Sequence, residues 1–440
     1  MSGKELIDGC SFSVEWLLKS LKENDKEFQQ KFGKKNVKEV TAYDISDGRG
    51  VASVVLRCTI HFIDSNETYS TILKVPGMEV IKQVQLKMNG KTDLVNDILT
   101  QRFNDAHQRE CKFYNEIASF LNAPIPKVYK TEDWILNEKE GCIHMEDLSQ
   151  KGKTISYFET INLTQVKNFI QHLAKMHKSI LSADPKIWKG KFVENAEFFM
   201  YYFDILEEQN VEFLKICSRR EEFRPLFEKF RKLRTNKDFL LYAQTQYFHD
   251  LKMPTVIVHN DIHAGNILWK VNSNGDIENE IEALLDWQLM HEGSPMTDLS
   301  RFLTHLPNAV VRRQSEVFAF DFYYQCLTKE FEGDLSKVPF TVEQLRKGYY
   351  YGFTIQTFFT VPMVMFFFAA IKDKIKCENV QKAFFDNGIQ KALDAYKDLD
   401  RIYNGEMKDV LKNMFETETK KSNRKKRVSP YCKNIYKNAQ

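Results

Sequence analysis

Residues 256–288 read VIVHNDIHAGNILWKVNSNGDIENEIEALLDWQ and contain three short apolar runs that have polar side chains at their ends. The first run leads to Asp261, the second begins after Asn266, and the third ends at Asp286. Short apolar runs that are bounded by turn residues predict strands. The two carboxylates and the amide would therefore lie in loops at strand ends, where side chains from distant parts of a chain can meet.

The spacing of these polar residues is typical of enzymes that transfer a phosphoryl group from ATP. An Asp, an Asn five residues later and an Asp at a strand end supply one group that accepts a hydroxyl proton and two oxygen ligands for Mg2+. We therefore predict that Asp261 is the catalytic base or orients the hydroxyl, and that Asn266 and Asp286 hold the metal. His259 would brace the catalytic loop, and Asp298 would accept hydrogen bonds from its backbone.

The composition is that of a soluble globular protein. The chain has 440 residues, 43% of them hydrophobic, and its 34 Phe can build a sizeable core in one large or two moderate domains. Its net charge of +3 conceals a basic tail, because residues 420–440 hold eight of the 63 Lys and Arg and none of the 60 acidic residues. The body is mildly acidic, and no nucleic-acid partner is expected. Eight scattered Cys without a C-x-x-C pair predict reduced thiols and a cytoplasmic location.

The N-terminal part of the chain predicts a helical extension over residues 1–36 and a small nucleotide-binding lobe over 37–147. The lobe begins with three predicted strands, at 37–45, 51–63 and 68–75. Gly48 and Gly50 lie between the first two strands, where they can bring backbone N–H groups close to phosphates. Lys74 lies near the end of the third strand, from which kinase folds contact the α- and β-phosphates of ATP.

Residues 106–121 predict a helix that carries Glu110 on its apolar side. A carboxylate on an inward face needs a cationic partner, and Lys74 is the natural one. This ion pair would orient the lysine toward the phosphates. The polar residues 79–105 before the helix form an insertion to which the sequence assigns no role.

The boundary between the two lobes is predicted from a short apolar run that ends in an acidic dipeptide, CIHMEDL. Strands are expected before it, around 127–130 and 134–136. In kinases the chain crosses between lobes at such a place, and backbone groups there can read the edge of adenine. We predict that Met145, Glu146 and Leu148 form this hinge.

Residues 148–415 are rich in helical patterns and predict a C-terminal lobe that contains the catalytic loop and the acceptor site. Within it, residues 348–371 carry no charge and are long enough to span a bilayer. Pro362 and the polar residues around it favour a helix that is buried in the protein. No stable membrane insertion is therefore expected.

The tail over residues 416–440 is basic and predicted to be disordered. Residues 420–427, KKSNRKKR, resemble a nuclear-import cluster. A nuclear location therefore stays open beside the cytoplasmic one, and a solvated charged terminus is the simpler interpretation.

Two motifs indicate a family. HNDIHAGNILW and LLDWQ resemble the H-G-D-x-x-x-x-N and I-D-W-Q/E motifs of the aminoglycoside phosphotransferase and choline kinase superfamily. Together with IHMEDLS, RECKFYNEI and SPMTDLSRFL, over about residues 37–410, they most resemble the CHK kinase-like (ecdysteroid-kinase-like) family, in a largely uncharacterised branch that is expanded in nematodes. The resemblance implies an α+β, protein-kinase-like fold with two lobes, a small N-terminal lobe built on an antiparallel sheet and a large helical C-terminal lobe.

The resemblance also implies roles for single residues. Asp261 matches the catalytic Asp of the family, and Asn266 and Asp286 match its metal ligands. Lys74 matches the lysine that contacts the phosphates, and Glu110 matches the partner of that lysine.

The chain departs from the family pattern at two places. Asn260 stands where the motif usually has Gly, which would alter the backbone of the catalytic loop. The phosphate loop has only Gly48 and Gly50, so it offers few of the backbone contacts that a glycine-rich loop makes.

We therefore predict a phosphotransferase that uses ATP and Mg2+ and acts on a hydroxyl of a small organic acceptor, such as a steroid alcohol, a choline-like amino alcohol or a glycosylated foreign compound. Asp298 follows Asp286 after only 12 residues, and no A-P-E segment lies at the expected place, which argues against a protein acceptor. Two alternatives stay open. The chain could be a catalytically weak pseudokinase that serves as a nucleotide-binding or scaffold module, or a membrane-attached enzyme with 348–371 as a span and the basic tail on an anionic surface.

Overall fold

The structure is a computed structural model that describes residues 5–45, 53–63, 65–77, 97–192, 207 and 209–410. Four predicted features lie outside these residues: Gly48, Gly50, most of the 79–105 insertion and the tail from residue 416. Within the described part, a sheet forms the N-terminal region and helices form most of the C-terminal region, which confirms the predicted fold class.

A five-stranded antiparallel sheet forms the centre of the N-terminal lobe. Its strands are β1 (Val37–Asp44), β2 (Ser53–Phe62), β3 (Ser65–Pro76), β4 (Val128–Glu132) and β5 (Cys142–Glu146). They are arranged in the order β1-β2-β3-β5-β4, and neighbouring strands run antiparallel. Buried and partly exposed residues alternate along most of β2, so one face of the sheet meets a core and the other is more open.

Two short helices, α1 (Val14–Asn24) and α2 (Lys26–Lys31), pack against this sheet. Asp25 separates them, because it ends α1 and caps α2 by accepting a hydrogen bond from a backbone N–H of α2 at 3.0 Å. The buried Asp25 carboxylate also accepts hydrogen bonds from Lys127, at 3.0 Å, and from the hydroxyl of Tyr69. The N-terminal extension is thus attached to the sheet through a buried carboxylate.

The helix that carries Glu110 begins and ends earlier than the predicted span of 106–121. It runs as α3 (Asp97–Lys112), and a π-helical segment, Phe113–Ile117, follows it. The wider π turn places both ends of that segment in the core, and Phe113 stacks on Trp287 with ring centroids 4.0 Å apart. After Lys112, the packing of Phe113 and Ile117 in the core therefore favours π-helical over regular α-helical geometry.

The prediction of a strand at 134–136 is wrong. Residues 135–139 form a tight turn that is closed by a single bridge between Ile135 and Lys139. Asn137 lies in the left-handed region of this turn, at φ 63°. The chain reverses direction within these few residues, so no strand can extend there.

The C-terminal lobe is mostly helical. Its named helices are α4 (Leu163–Ser182), α5 (Pro185–Trp188), α6 (Arg220–Lys229), α7 (Arg231–Arg234), α8 (Lys237–Thr245), α9 (Tyr247–Asp250), α10 (Thr297–His305), α11 (Ala309–Glu330), α12 (Val342–Ile371) and α13 (Glu378–Asn404). α4 packs along α11, and α12 packs against both α10 and α13. Aromatic side chains dominate the core, where Phe169 stacks on Phe302 with centroids 3.9 Å apart.

Two small sheets hold the stretch at 256–288. Their strands are β6 (Gly152–Lys153), β7 (Val256–Val258), β8 (Ile267–Val271), β9 (Ile277–Leu284) and β10 (His291–Gly293). β7 pairs with β10, and β6, β8 and β9 form the other sheet in that order. The β8–β9 hairpin places Ile267 opposite Leu284, so the start of β8 lies beside the end of β9.

α12 contains the uncharged stretch that is predicted to be a buried helix. Among the described residues it is the one helix whose length and composition would also allow it to cross a membrane. Most residues from Tyr349 to Val364 are buried in the lobe, whereas the turns after Val364 are partly exposed. Pro362 lies inside the helix without ending it. The packing supports the buried-helix interpretation for the central part of α12.

Gly352 marks a close approach of α12 to α10. A Cβ there would lie 2.8 Å from the Cβ of Ser300, whereas a Cβ at Gly348, one turn earlier, would have its nearest neighbour at 3.5 Å. We expect Gly352→Ala to lower the free energy of unfolding by about 1–3 kcal/mol through overpacking. Gly348→Ala gains the same helix propensity and should be neutral or stabilising by up to about 1 kcal/mol. Urea unfolding compares the two variants, and equal stabilities would contradict the close approach.

Candidate active site

A buried carboxylate shapes the loop between β7 and β8. Asp298, in the first turn of α10, accepts hydrogen bonds from the backbone N–H groups of His259, at 2.9 Å, and Asn260, at 2.7 Å. Burial raises the pKa of Asp298 to about 6, although these two N–H groups act in the opposite direction. The contacts predicted for Asp298 are therefore present.

His259 braces the same loop as a neutral ring. Its Nε2–H donates to the carbonyl oxygen of Leu285 at 2.8 Å, and its Nδ1 accepts from the backbone N–H of Asp261 at 3.2 Å. Burial lowers the pKa of His259 to about 4, which agrees with an imidazole that has one donor and one acceptor nitrogen. Both ring nitrogens are thus engaged in hydrogen bonds within the protein, which agrees with the predicted bracing of the loop.

Asp261 is almost fully buried within this loop. Its Oδ1 accepts a hydrogen bond from Nη2 of Arg301 at 2.5 Å, and its Oδ2 accepts one from the amide of Asn266 at 3.3 Å. Nε2 of His263 lies 3.7 Å from Oδ2. Burial alone would raise the pKa of Asp261, but the charges of His263 and Arg301 outweigh burial and lower it. Asp261 is therefore held as a carboxylate.

The sequence reasoning missed Arg301 and His263. Arg301 lies in SPMTDLSRFL, where an Arg among apolar residues indicates a carboxylate partner inside the protein. That signal does not identify the partner, because Arg301 is 40 residues from Asp261 in the chain. His263 follows Asp261 by two residues, and its Nδ1 accepts a hydrogen bond from the N–H of Gly265 at 3.1 Å.

The β8–β9 hairpin brings Asn266 and Asp286 together. The backbone N–H of Leu285 donates to the carbonyl oxygen of Asn266 at 2.8 Å, so both candidate metal ligands lie at the same end of the hairpin. The amide nitrogen of Asn266 donates to the carbonyl oxygen of Asp261 at 3.0 Å, which leaves the amide oxygen as the atom that can meet a cation. Asp286 has a left-handed backbone conformation, with φ 68°.

Lys74 on β3 forms two ion pairs, one with the helix α3 and one with the stretch at 256–288. Its Nζ lies 2.6 Å from Oε2 of Glu110 and 2.7 Å from Oδ1 of Asp286. The first contact is the predicted one, and the second was not predicted. Burial alone would lower the pKa of Lys74, but the carboxylates of Asp286 and Glu110 outweigh burial and raise it. Burial raises the pKa of Glu110, against the effect of Lys74.

The hinge residues Met145, Glu146 and Leu148 lie where β5 ends and the chain enters the helical lobe. Three backbone groups there are bonded within the protein. The carbonyl of Met145 accepts from the Thr71 hydroxyl at 2.8 Å, and the N–H of Glu146 donates to the carbonyl of Lys127 at 2.9 Å. The carbonyl of Leu148 accepts from two later N–H groups, both at 2.9 Å. An adenine edge would have to use other groups of the hinge, and this contact stays a prediction.

The donor set at the hairpin end fits Mg2+. Within the described parts of the chain, no group of three or more His, Cys, Asp or Glu side chains could hold a metal by itself. Mg2+ usually takes only one or two protein oxygens and completes its shell with phosphate oxygens and water. Asp286 and Asn266 supply that number, and the oxygen of Asp286 that now bonds to Lys74 would be released for the metal.

A cavity of about 650 Å³ in the helical lobe shares no lining residue with this site. It borders Ile277 and Asn279 at the start of β9, and its other walls include Phe158 and Phe384. β9 leads from this wall of the cavity to the end of the hairpin at which Asp286 lies.

Asn260 explains how the loop tolerates the loss of the usual Gly. Its φ of 62° lies in the region that Gly and Asn adopt most easily, and its side-chain Nδ2 is buried without a hydrogen-bond partner among the described residues. We expect Asn260→Ala to destabilise the protein by about 1–2 kcal/mol, and Asn260→Gly to be neutral or stabilising. Asn137→Ala is the matched control, because Asn137 has nearly the same φ, 63°, in a turn away from the loop. Thermal unfolding measures all three, and a stable Asn260→Ala variant would contradict the strained conformation.

A family model described as DUF1679, "Uncharacterized oxidoreductase dhs-27", matches residues 19–407. The chain belongs to the DUF1679 family. The matched range includes Lys74, Glu110, the catalytic loop and Asp286, so the whole candidate site lies inside the family region.

Two proteins of Caenorhabditis elegans are similar to this DUF1679 chain. "Uncharacterized oxidoreductase dhs-27" is 24% identical over 372 residues, which cover 79% of this chain and 43% of that protein. "Uncharacterized kinase-like protein D1044.1" is 27% identical over 274 residues, which cover 60% of this chain and 67% of that protein. Since the chain spans less than half of the first relative, the activity in that name does not transfer to it. The family match and the kinase-like relative confirm the predicted resemblance to the nematode branch of the CHK kinase-like family.

Solved structures of phosphotransferases also resemble this DUF1679 chain at low similarity. A macrolide 2'-phosphotransferase, MphH, from Brachybacterium faecium is 12% identical, covers 82% of this chain and 96% of its own, and superposes with a TM-score of 0.38. Similarity at this level is too low to indicate a function.

Proposed function

We propose that the chain is an ATP-dependent small-molecule kinase that phosphorylates a hydroxyl group of an organic acceptor. The supporting observation is the convergence of separate segments on one place. Lys74 bonds to both Glu110 and Asp286, and the residue before Asp286 is bonded to His259 and Asn266 of the catalytic loop. Ion pairs that serve only the structure can also shift pKa values. This set of residues, however, combines a phosphate-binding cation, metal-type oxygens and a buried carboxylate in one place.

The reaction follows from the chemistry of these groups. The acceptor hydroxyl donates a hydrogen bond to Asp261, and its oxygen forms a bond to the γ-phosphorus of ATP. The bond from that phosphorus to the β-phosphate oxygen breaks, the electron pair leaves with ADP, and the hydroxyl proton passes to Asp261 and then to solvent. Lys74 holds the α- and β-phosphates, and Glu110 keeps Lys74 in place. Bound at Asn266 and Asp286, Mg2+ would neutralise phosphate charge.

The electrostatics of Asp261 favour an orienting role. The pKa of its carboxyl is lowered in the folded protein, because His263 and Arg301 outweigh burial. A weak base gains little by taking the proton early, and phosphoryl transfer through a loose transition state asks for little base catalysis. Asp261 therefore aligns the hydroxyl and receives its proton only as the new bond forms.

The segment after Asp286 supports a small acceptor over a protein. Residues 287–296 connect Asp286 to α10, and most of them, including Trp287 and Met290, are fully buried. Protein kinases use a longer, movable segment at this place to respond to phosphorylation. A short buried segment cannot play that part. A steroid alcohol, a choline-like amino alcohol and a glycosylated foreign compound are the acceptor classes that we propose.

One observation favours a second candidate, a pseudokinase that binds nucleotide or serves as a scaffold. Lys74 bonds to Asp286, so a carboxylate proposed for the metal is already neutralised by a cation of the protein. If this ion pair persisted when nucleotide bound, the site would hold ATP without activating it.

The test uses the purified full chain with Mg2+ and ATP and one compound of each acceptor class. We expect ADP release that requires both Mg2+ and an acceptor, together with a product that is heavier by one phosphoryl group. Lys74→Met should abolish both signals, whereas Lys153→Met, at an exposed lysine on β6, should not. Thermal stabilisation by Mg2+ and ATP without turnover would favour the pseudokinase. If the protein shows neither thermal stabilisation by Mg2+ and ATP nor turnover, the proposed nucleotide site itself is overturned.

A further inference from the structure

Arg301 is the least expected member of the site. It lies in α10, is almost fully buried, and bonds through Nη2 to Oδ1 of Asp261 at 2.5 Å. Its other terminal nitrogen, Nη1, donates to Oε1 of Gln356 in α12 at 3.0 Å. The same oxygen of Gln356 lies 3.1 Å from Nε2 of His305, one turn after Arg301. The guanidinium is thus held on one side by α12 and holds the carboxylate on the other.

We propose that Arg301 is a positioning residue for phosphoryl transfer: it holds one oxygen of Asp261 and thereby directs the other toward the acceptor hydroxyl. This inference rests on the proposed kinase function. Oδ1 is bound by Arg301 at 2.5 Å, whereas the nearest donor to Oδ2 is the Asn266 amide at 3.3 Å. Oδ2 is therefore the weakly bonded oxygen, and it is the one that can accept the hydroxyl.

Arg301 is also the closest charged partner of Asp261. Its Nη2 bonds directly to Oδ1, whereas the nearest histidine nitrogen, Nε2 of His263, lies 3.7 Å from Oδ2. A buried carboxylate needs such a cationic partner.

Arg301 stays charged at every working pH. Substitution of Arg301 by a neutral residue would therefore leave Asp261 without its directly bonded cation.

The Gln356 contact gives the arrangement its stiffness. A guanidinium that bonds to two fixed oxygens, one on the catalytic loop and one on α12, has a defined plane. A lysine at position 301 could supply the charge but only as a point donor, without the second bond to Gln356. Charge and orientation can therefore be separated by substitution.

The experiment compares Arg301→Gln and Arg301→Lys with the wild type, and measures kcat and KM for acceptor and ATP. We expect Arg301→Gln to lower kcat by about 10²-fold and to change KM for ATP by less than about 3-fold. Arg301→Lys should restore only part of kcat. Gln356→Met, which leaves the charge in place, should lower kcat less than Arg301→Gln does, again with little change in KM for ATP.

The matched control is Arg312→Gln. Arg312 is equally buried and bonds to Asp398 at 2.6 Å, away from the catalytic loop. It should lose stability as Arg301→Gln does, but it should keep the wild-type kcat at temperatures at which it stays folded. Wild-type kcat in Arg301→Gln would overturn the positioning role and leave the kinase function standing. Absence of turnover in the wild type would overturn both. If Arg301→Gln does not fold, Arg301→Lys and Gln356→Met decide by the same criteria.

Discussion

Asp261→Asn should lower kcat for acceptor phosphorylation by about 10²- to 10⁴-fold, the range that positioned proton acceptors contribute. The substitution keeps the size of the side chain but removes the negative charge that accepts the hydroxyl proton. Binding of ATP with Mg2+ should change little, because the groups proposed for the phosphates and the metal are Lys74, Asn266 and Asp286. Steady-state kinetics gives kcat, and thermal stabilisation by Mg2+ and ATP reports the binding.

The same variant leaves the buried charge of Arg301 without its carboxylate, which should cost about 3–5 kcal/mol of folding stability. Loss of activity could then reflect partial unfolding. Asp398→Asn is the control for this effect, because Asp398 is buried and accepts bonds from Arg312 at 2.6 Å and Arg313 at 2.9 Å. The control should be destabilised and active at temperatures at which it stays folded. A folded Asp261→Asn protein with wild-type turnover would rule out Asp261 as the catalytic group.

Asp286→Asn should lower turnover by about 10³-fold, because a metal that neutralises phosphate charge contributes several kcal/mol to the transition state. An amide is a weaker ligand than a carboxylate, so the Mg2+ concentration for half-maximal activity should rise at the same time. A titration of Mg2+ at saturating ATP measures this shift.

Asp276→Asn is the control for the Asp286 variant. Asp276 lies in the exposed turn of the same β8–β9 hairpin, so its substitution changes the same charge at the opposite end. It should leave both turnover and the Mg2+ requirement unchanged. An Asp286→Asn enzyme with an unaltered Mg2+ titration would exclude Asp286 as a ligand.

The residues that the sequence predicted most securely are those whose positions follow from element order. Lys74 on the third strand and Glu110 on the next helix meet at 2.6 Å, because the sheet and the helix pack in a kinase-like arrangement. The hydrogen bonds of Asp298 to the backbone of the loop were also predicted, and they are present at 2.9 and 2.7 Å. The roles proposed for Asp261 and Asn266 stay predictions, and their geometry is compatible with them.

What the sequence could not show depends on contacts between distant helices. Arg301 meets Gln356 because α10 and α12 approach closely, and no local pattern sets the distance between two helices. The π-helical turn after Lys112 depends on Phe113 finding Trp287, far along the chain. The bonds made by the backbone of Met145 and Glu146 at the hinge depend on how β3 and the chain at β4 lie against β5. Periodicity and motif spacing describe single elements, whereas these features belong to pairs of elements.

Lys74 bonds to Asp286 at 2.7 Å, so an internal ammonium competes with any metal for that carboxylate. Free Mg2+ would have to displace the ammonium without offering it another anion. Mg2+ that arrives with ATP brings phosphates to which the ammonium can transfer. Metal and nucleotide should therefore each raise the affinity for the other, and by the same factor, because such coupling is reciprocal. Occupancy of the site would then depend on the concentration of the metal–nucleotide complex and would not change with free Mg2+ alone.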